Sequence, residues 1–540
     1  MPDTRATPPS AAASVNSAQK SPNLQRQVAV AACFGTFLEW YDFLTFATLA
    51  TYFGPLFFPP DNPVAGLLAS LATFGAGMVV RPLGAALFGS LGDRIGRRRV
   101  FIVTIVLMGI ATVGVGLLPT YAQVGLLAPG LLLALRLLQG LSVGGEIGGS
   151  AVYLTEHAPE GRRGLFTSVL QLMGPLGMMA SAAQLVLLQS WLTEADFAAW
   201  GWRVPFLVSA LLLAVSLKSR VALHESPVFR QLQAKKALSA TPLRDCFRDR
   251  TTLARMGVLA LCISAGGSLL FFSAQVYTTV FLKSVVKLEA KTASQLVMVA
   301  TVALFPLTLA AGALSDRIGR RPVLLAGLLV GALTLLPVFQ AFIPAGNPAM
   351  ARFQRDVPVV LAGSDCSYSP FAAPASDCAR AQEWLVKQGV TYTRDDLPAG
   401  SPTTVRIGTA EPVAAHDAAA LAPLLEAAGW PGRADPAQVD GLTLVLLLLV
   451  PIVAVALITG PQTAVLAELF PARTRYSAVA LPHNLAAGWI GGLSPFVVTL
   501  LNVRYGDGTA GLWYPVVLLG LAFLVGLRFL PETKQARLEE

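Results

Sequence analysis

The phrase GSLGDRIGRRRV fills residues 89–100, and GALSDRIGRRPV fills residues 312–323. Each crowds an Asp and several Arg into a chain that is 54% hydrophobic and only 13% charged. Soluble domains carry roughly 25% charged residues, so these 540 residues read as a membrane protein and the phrases as loops between apolar spans. The formal net charge of +9 comes in short basic runs between apolar segments. That pattern orients a chain in a lipid bilayer and gives no reason to expect a nucleic-acid partner.

A bilayer-spanning helix needs about 20 apolar residues. Twelve such runs are expected, near 28–53, 64–89, 100–119, 126–155, 164–190, 203–222, 253–282, 293–312, 323–343, 441–467, 476–502 and 511–530. Residues 1–27 are polar and rich in Pro, Ser and Ala, with no apolar core of a secretory signal, and are expected to form a disordered cytoplasmic tail. Starting inside, the inner loops hold Arg94, Arg97 to Arg99, Arg162, Arg163, a dense set from Lys218 to Arg255, Arg317, Arg320, Arg321, Arg473 and Arg475. The short outer loops 54–63 and 119–125 hold no Lys or Arg, so both termini are expected in the cytoplasm.

The repeated phrase also measures the architecture. Asp93 and Asp316 lie 223 residues apart, whereas a second repeated pair, Glu156 in EHAPEGRRG and Glu468 in ELFPARTRYS, lies 312 apart. The difference, 89 residues, marks an insertion in the second half, and 344–440 is the non-apolar stretch available for it. Strand-like stretches at 357–363 and 403–408 and helix-like stretches at 378–389 and 416–430 predict a small α/β module on the outer face. Cys366 and Cys378 lie within it, free or bridged; an oxidising exterior permits the bridge. The expected units are the tail 1–27, a six-helix half 28–222, a basic cytoplasmic loop 223–252, a second half in two parts (253–343 and 441–530) around the insertion 344–440, and a cytoplasmic tail 531–540.

The repeat sorts the charges. Asp93/Asp316, Arg97/Arg320, Glu156/Glu468 and Arg163/Arg475 recur in both halves at helix ends. With Gly89, Arg94, Gly96 and Arg317 they are expected to form a cytoplasmic ion-pair gate within each half, pure topology anchoring being the alternative. Glu39, Asp42, Arg81, Arg136 and Glu146 recur nowhere: the matching positions hold Cys262, Ala265, Leu304, Leu448 and Ile458. Charges inside a membrane cost about 2.5–3.5 kcal/mol each on insertion scales and therefore face a cavity or a partner. At 1.5 Å per residue, Asp42 and Arg136 lie about 21 Å and 15 Å along their helices, near mid-membrane. A carboxylate there resists losing its proton, and a mobile arginine switches that balance. Asp42 is thus expected as proton carrier with Arg136 as its switch, Glu39 as the competing carrier, and a static Asp42–Arg136 pair as the alternative. Arg81 and Glu146 lie at similar depth, either paired or with Arg81 holding a substrate carboxylate. Gln139, Gln171, Gln275, Tyr277, Gln462, His483 and Asn484 are the further polar candidates for a substrate cavity.

These phrases carry a resemblance. Two six-helix halves joined by a basic loop, the repeated loop signature, and LRLLQG (135–140) resemble the major facilitator superfamily. GTFLEWYDF (35–43), RPLGAALFGSLGDRIGRR (81–98), QGLSVGGEIGG (139–149), GWRVPFL (201–207) and ELFPARTRYS are similar to its metabolite:proton symporter family, which includes carriers of 2-oxoglutarate, shikimate, citrate and proline or betaine. AVYLTEHAPEGRRG, HESPVF (224–229) and LPET (530–533) resemble the sugar-porter branch, in which a helix-one Asp works with this helix-four Arg. The resemblance implies an all-α protein of twelve transmembrane helices in two halves that rock about a central site, with a small α/β extracytoplasmic insertion between helices nine and ten. It further implies a bacterial inner-membrane carrier, a monomer, taking up a small carboxylate or zwitterion with protons and needing no cofactor beyond the proton gradient. The helix-five stretch LQLMGPLGMM keeps Gly174-Pro175 but has Leu170, Met178 and Met179 where drug/proton antiporters have glycines, which favours uptake over export.

An enzyme is not expected. The chain has no phosphate-binding GxxxxGK[ST], zinc HExxH or GxSxG elbow, and its four histidines offer little for a metal site. A sensor built on a transporter fold is a further alternative, disfavoured by the retained coupling charges.

Overall fold

A long apolar run in lipid satisfies its backbone by closing every amide on a carbonyl of its own helix, and proline or glycine breaks are tolerated where neighbouring helices cover them. The computed structural model, which describes residues 22–58, 63–366, 376–398, 400–415 and 421–538, is accordingly mostly helical. Its first half contains α1 (Pro22–Phe57), α2 (Pro63–Ile95), α3 (Arg97–Leu117), α4 (Leu127–Glu156), α5 (Arg163–Trp191) and α6 (Gly201–Val221). The second contains α7 (Arg250–Ser284), α8 (Ala290–Ile318), α9 (Arg320–Gly346), α10 (Gly441–Glu468), α11 (Arg475–Tyr505) and α12 (Ala510–Phe529).

Among the described residues ten of these helices, α3 to α12, are long and apolar enough to cross a membrane, rather than the twelve expected. The first two runs, 28–53 and 64–89, fall in α1 and α2, some of whose side chains lie outside the description. The tail expected over 1–27 lies outside it to residue 21, and from Pro22 the chain is already helical. Exposed Leu211, Leu333, Leu442, Val517 and Leu524 leave the outer surface apolar, as lipid requires.

The insertion contains a small mixed sheet in the order β2–β1–β3–β4: β1 (Val359–Gly363), β2 (Thr393–Asp396), β3 (Thr404–Ile407) and β4 (Val413–Ala414). Strands β1 and β3 coincide with the stretches read as strands; β2 and β4 are too short and polar to show a period. The helix read over 416–430 falls partly outside the described residues, and among the described ones Ala422–Ala427 is helical. Leu361, Leu385, Val405, Ile407 and Trp430 form its core, and Cys366 is bridged to Cys378. Gln382 Nε2 and Tyr392 Oη both donate to the Val503 carbonyl (2.8 and 3.0 Å), and the Tyr392 amide donates to the Gly506 carbonyl (2.7 Å), so the module is fastened to α11 and the loop after it. Its two ends meet where the Asp440 amide donates to the Ala345 carbonyl at 3.0 Å. Asp440 then caps α10, and the Thr443 hydroxyl and amide hold its carboxyl below the usual carboxylate range.

Glycines set two features of the frame. Gly140 and Gly144 of α4 face the carbonyl oxygens of Gly77 and Arg81 on α2 so closely that a Cβ would overlap them, so these two helices touch backbone to backbone. Gly96 and Gly319, at the start of α3 and α9, have φ of 112° and 109° with extended ψ, a region open only to glycine. A Cβ at either would strike the carboxylate that caps the helix, Glu225 or Glu532. Gly96→Ala is therefore expected to destabilise the first half by about 1–2 kcal/mol through the backbone alone. A thermal melt of the detergent-purified variant checks this; an unchanged melting temperature overturns it.

Candidate functional site

Two constellations come from the charges that the sequence singles out. The first lies on the face carrying the repeated phrases. Asp93 ends α2, where its charge opposes the carbonyl end of its own helix. It is stabilised from the other half: its Oδ1 accepts from the Tyr476 amide (3.2 Å) and its Oδ2 from the Ser477 amide and hydroxyl (2.9 Å each), capping the N-terminus of α11. Asp316 does the same in reverse, accepting from the Gly164 and Leu165 amides at 2.8 Å to cap α5. Each repeated glutamate of the phrase pair is then held by one arginine of its own half and one of the other. Glu156 meets Arg97 at 3.1 Å and Arg475 at 2.8 Å; Glu468 meets Arg320 at 3.3 Å and Arg163 at 3.8 Å.

The expectation of one network inside each half is thus corrected, because both networks cross between halves. The reason is geometric: a helix N-terminus offers free amides, and those nearest Asp93 and Asp316 belong to the opposite bundle. Gly89 lies against Ser477 at the same seam. Arg94 and Arg317 stand exposed and join no ion pair among the described residues. Glu225 and Glu532, in the phrases HESPVF and LPET, cap α3 and α9 by accepting from the amides of Arg97, Arg98, Arg320 and Arg321. Their common position after the last helix of each half is the signal that reveals them. The C-terminal segment lies over the seam, where Arg163 donates to the Ala536 carbonyl (2.8 Å) and Arg475 to that of Leu538 (2.9 Å).

The second constellation lies inside the bundle. A cavity of about 110 Å³ opens between the halves, lined by α1, α2, α4 and α5 on one side and by α7, α8, α10 and α11 on the other. Trp40 and Phe43 of α1 face Phe271 and Phe272 of α7 across it, and the Trp40 and Phe271 rings lie 5.4 Å apart. Arg81, Gln171, Gln462 and His483 supply its polar wall. Gln171 donates to the Thr463 hydroxyl at 2.9 Å, and His483 Nδ1 lies 2.9 Å from the Ser264 hydroxyl. Beside it a pocket of about 30 Å³ holds Glu39, Arg136 and Gln139, and Arg81 lines both spaces.

Four expected lining residues serve elsewhere. Glu146 pairs with Arg220 and accepts from Thr104 at 3.0 Å, tying α4 to α6 and α3. Gln275 accepts from Thr301 (2.7 Å), the Tyr277 hydroxyl accepts from Asn502 (2.7 Å), and Asn484 donates to the Gly144 carbonyl across the halves (2.9 Å). The Arg81–Glu146 pairing is also corrected: Arg81 pairs with Glu39 at 3.2 Å. Equal depth does not make two side chains meet when their helices turn them to different neighbours. Arg220, near the end of the run 203–222 and beside the basic loop, reads in sequence as a loop charge, yet it is buried.

Asp42 and Arg136 form no direct ion pair among the described residues. Asp42 accepts from Thr112 (2.5 Å) and Ser209 (2.9 Å), Thr112 accepts from Gln139 (3.1 Å), and Gln139 accepts from Arg136, whose guanidinium lies 3.3 Å above the Phe46 ring. The arginine reaches the carboxylate through two side chains. Thr112 and Ser209 were missed, since single hydroxyls in apolar runs carry no signal in sequence. Among the described residues there is no cluster of His, Cys, Asp and Glu able to hold a metal ion.

Asp93→Asn leaves one acceptor where two α11 amides find two. It is expected to weaken this seam by about 1 kcal/mol, and so to raise thiol labelling of a buried Ser315→Cys probe at the seam severalfold. Equal labelling with and without the Asn, in protein that inserts normally, overturns the gate assignment.

The Major Facilitator Superfamily model matches residues 28–376. The chain is 30% identical over 521 residues to the inner membrane metabolite transport protein YhjE of Escherichia coli (strain K12), 96% of each chain being covered. It is 36% identical over 323 residues to the shikimate transporter of the same organism, covering 58% of this chain and 72% of that one. Among solved structures, the proton:xylose symporter XylE bound to 6-bromo-6-deoxy-D-glucose matches with a TM-score of 0.65 at 17% identity, over 96% of this chain and 98% of that chain, which is a likeness of fold.

Proposed function

Because this chain belongs to the major facilitator superfamily, and is a transporter rather than an enzyme, we propose that it is a proton-coupled symporter that takes up a small organic acid or zwitterion by alternating access. The observation that carries the reading is the Arg81–Glu39 pair at the wall of a cavity between the halves. A charge pair at that depth is expensive to keep and would be replaced by packed apolar side chains if it served the fold alone. One of the two α1 carboxylates, Glu39 or Asp42, is the proton site, and Arg81 with Gln171, Gln462 and His483 receives the substrate. The relatives' names, a metabolite transport protein and a shikimate transporter, support the substrate class.

In this reading α1 and α2 complete twelve crossings, the face carrying the repeated phrases is cytoplasmic because its loops hold the arginines, and both chain ends lie there. The insertion then stands outside the bacterial inner membrane. The reciprocal aspartate caps hold the cytoplasmic side shut while the cavity exchanges with the exterior.

In proteoliposomes an acid-outside gradient is expected to drive accumulation of a substrate found by thermal-shift screening of organic acids, and a protonophore is expected to abolish it. A ligand present at 100 times its dissociation constant stabilises the folded carrier by about 2.7 kcal/mol, which makes the screen sensitive enough. Accumulation that ignores the protonophore overturns the coupling.

A further inference from the structure

We propose that Arg81 is handed between Glu39 and the carboxylate of the transported molecule, so that Glu39 carries the coupled proton and the substrate is a small monoanionic carboxylate. This rests on the symport reading above. Among the described residues that line the central cavity, Arg81 is the one Lys or Arg, and no Asp or Glu is present. The same arginine lines the small pocket in which Glu39 lies, so its guanidinium stands in the partition between proton site and substrate site.

The state of Glu39 makes the exchange consequential. Its side chain is 2% exposed, and among the described residues its carboxylate has one partner, the Arg81 guanidinium 3.2 Å away, which balances its charge. Asp42 differs on each count, since two hydroxyls donate to it and it lines neither space. When an incoming carboxylate draws Arg81 toward the cavity, Glu39 is left as a dry, unbonded anion, and the way out is to bind a proton. The charged or titratable groups around Glu39 are Arg81 from α2, Arg136 and Glu146 from α4, Asp42 on α1 itself, and His483 from α11 across the cavity. Glu146 is already balanced by Arg220; Asp42 is balanced by Arg136, which it reaches through Thr112 and Gln139, and two hydroxyls hydrogen-bond it.

Charge counting then fixes both coupling and substrate class. The empty carrier holds Arg81 positive and Glu39 negative, for a net charge of zero. The loaded carrier holds Arg81 positive, Glu39 protonated and one substrate carboxylate, again zero; one proton from the medium has gained a bond to a Glu39 oxygen, and no other bond changes. A proton alone leaves the centre at plus one, and a monoanion alone at minus one. Both half-loaded states are penalised when the halves rock through lipid, which makes the coupling obligatory. A dianion or a zwitterion with one proton also leaves a net charge. The facing rings of Trp40, Phe43, Phe271 and Phe272 complete a wall suited to an apolar or flat body behind that single carboxylate.

The test uses purified carrier in proteoliposomes with shikimate and benzoate as monoanions, 2-oxoglutarate as dianion and glycine betaine as zwitterion. A monoanion is expected to bind about tenfold more tightly per pH unit of acidification, as linkage to one proton requires. Its uptake is expected to be unchanged by a valinomycin-set potential. Glu39→Gln is expected to bind the same monoanion independently of pH and to exchange it across the membrane without accumulating it. Asp42→Asn is expected to keep the pH dependence of binding. A Glu39→Gln carrier that still accumulates substrate in a protonophore-sensitive way overturns the handover while leaving symport standing. Wild-type uptake that no proton gradient drives overturns the symport reading itself. Should Glu39→Gln fail to fold, the wild-type measurements decide: preference for the dianion or zwitterion, or uptake steeply driven by potential, overturns the proposal.

Discussion

The structure depends on a carboxylate placed where its own helix repels it. Asp93 and Asp316 each end a helix at the carbonyl-rich pole, and each is stabilised by the free amides that begin a helix of the opposite half. Each aspartate also has an arginine of its own half, Arg97 at 3.8 Å and Arg320 at 2.7 Å, but the two helix N-termini are capped from across the seam. The seam therefore joins two bundles through hydrogen bonds that vanish together when the bundles separate, and the arginine–glutamate contacts around Glu156 and Glu468 reinforce the same closure. The glycines, arginines and capping glutamates of the repeated phrase are the geometry needed to bring one aspartate to one foreign helix, twice.

Much of this was legible in the chain because repetition is a measurement. The offsets of Asp93 and Glu156 from their copies located two halves and the stretch 344–440 between them, and the small sheet is found there. What the repeat could not say is which half a repeated residue touches, since identical phrases look the same whether they bind at home or across the seam. Helix faces were the second blind spot. Arg81 and Glu146 have matching depth but turn to α1 and to α6, and their true partners Glu39 and Arg220 follow from that rotation. The relay from Arg136 to Asp42 was hidden for another reason: Thr112 and Ser209 are ordinary residues until their hydroxyls are seen to meet a buried charge.

The two halves divide the work of the cavity unequally. The first supplies the charged groups, Glu39 on α1, Arg81 on α2 and Arg136 on α4, and α2 and α4 meet backbone to backbone, which leaves them little room for tilt. The second supplies rings and neutral polar groups on helices whose hydrogen bonding is looser: α7 contains π-helical stretches at Leu259–Ala265 and Phe272–Tyr277, and α11 one at Ala486–Gly491. Such stretches, whose hydrogen bonds span one residue more than in an α-helix, are commonly found at functional sites. A stiff charged wall thus faces a compliant uncharged one.

The hydrogen bond from Asp440 to Ala345 has a consequence for how the bundle accommodates the stretch between α9 and α10. Where the insertion leaves α9 and re-enters at α10 its ends touch, so the bundle experiences the whole stretch as a tight hairpin. Lengthening a closed loop costs little entropy, about 0.6 kcal/mol per doubling. The bundle therefore offers a socket, a place where a foreign module can be plugged in without the helices registering its size. With its other fastenings on α11 and the loop that follows, whatever sits in that socket is anchored to the second half.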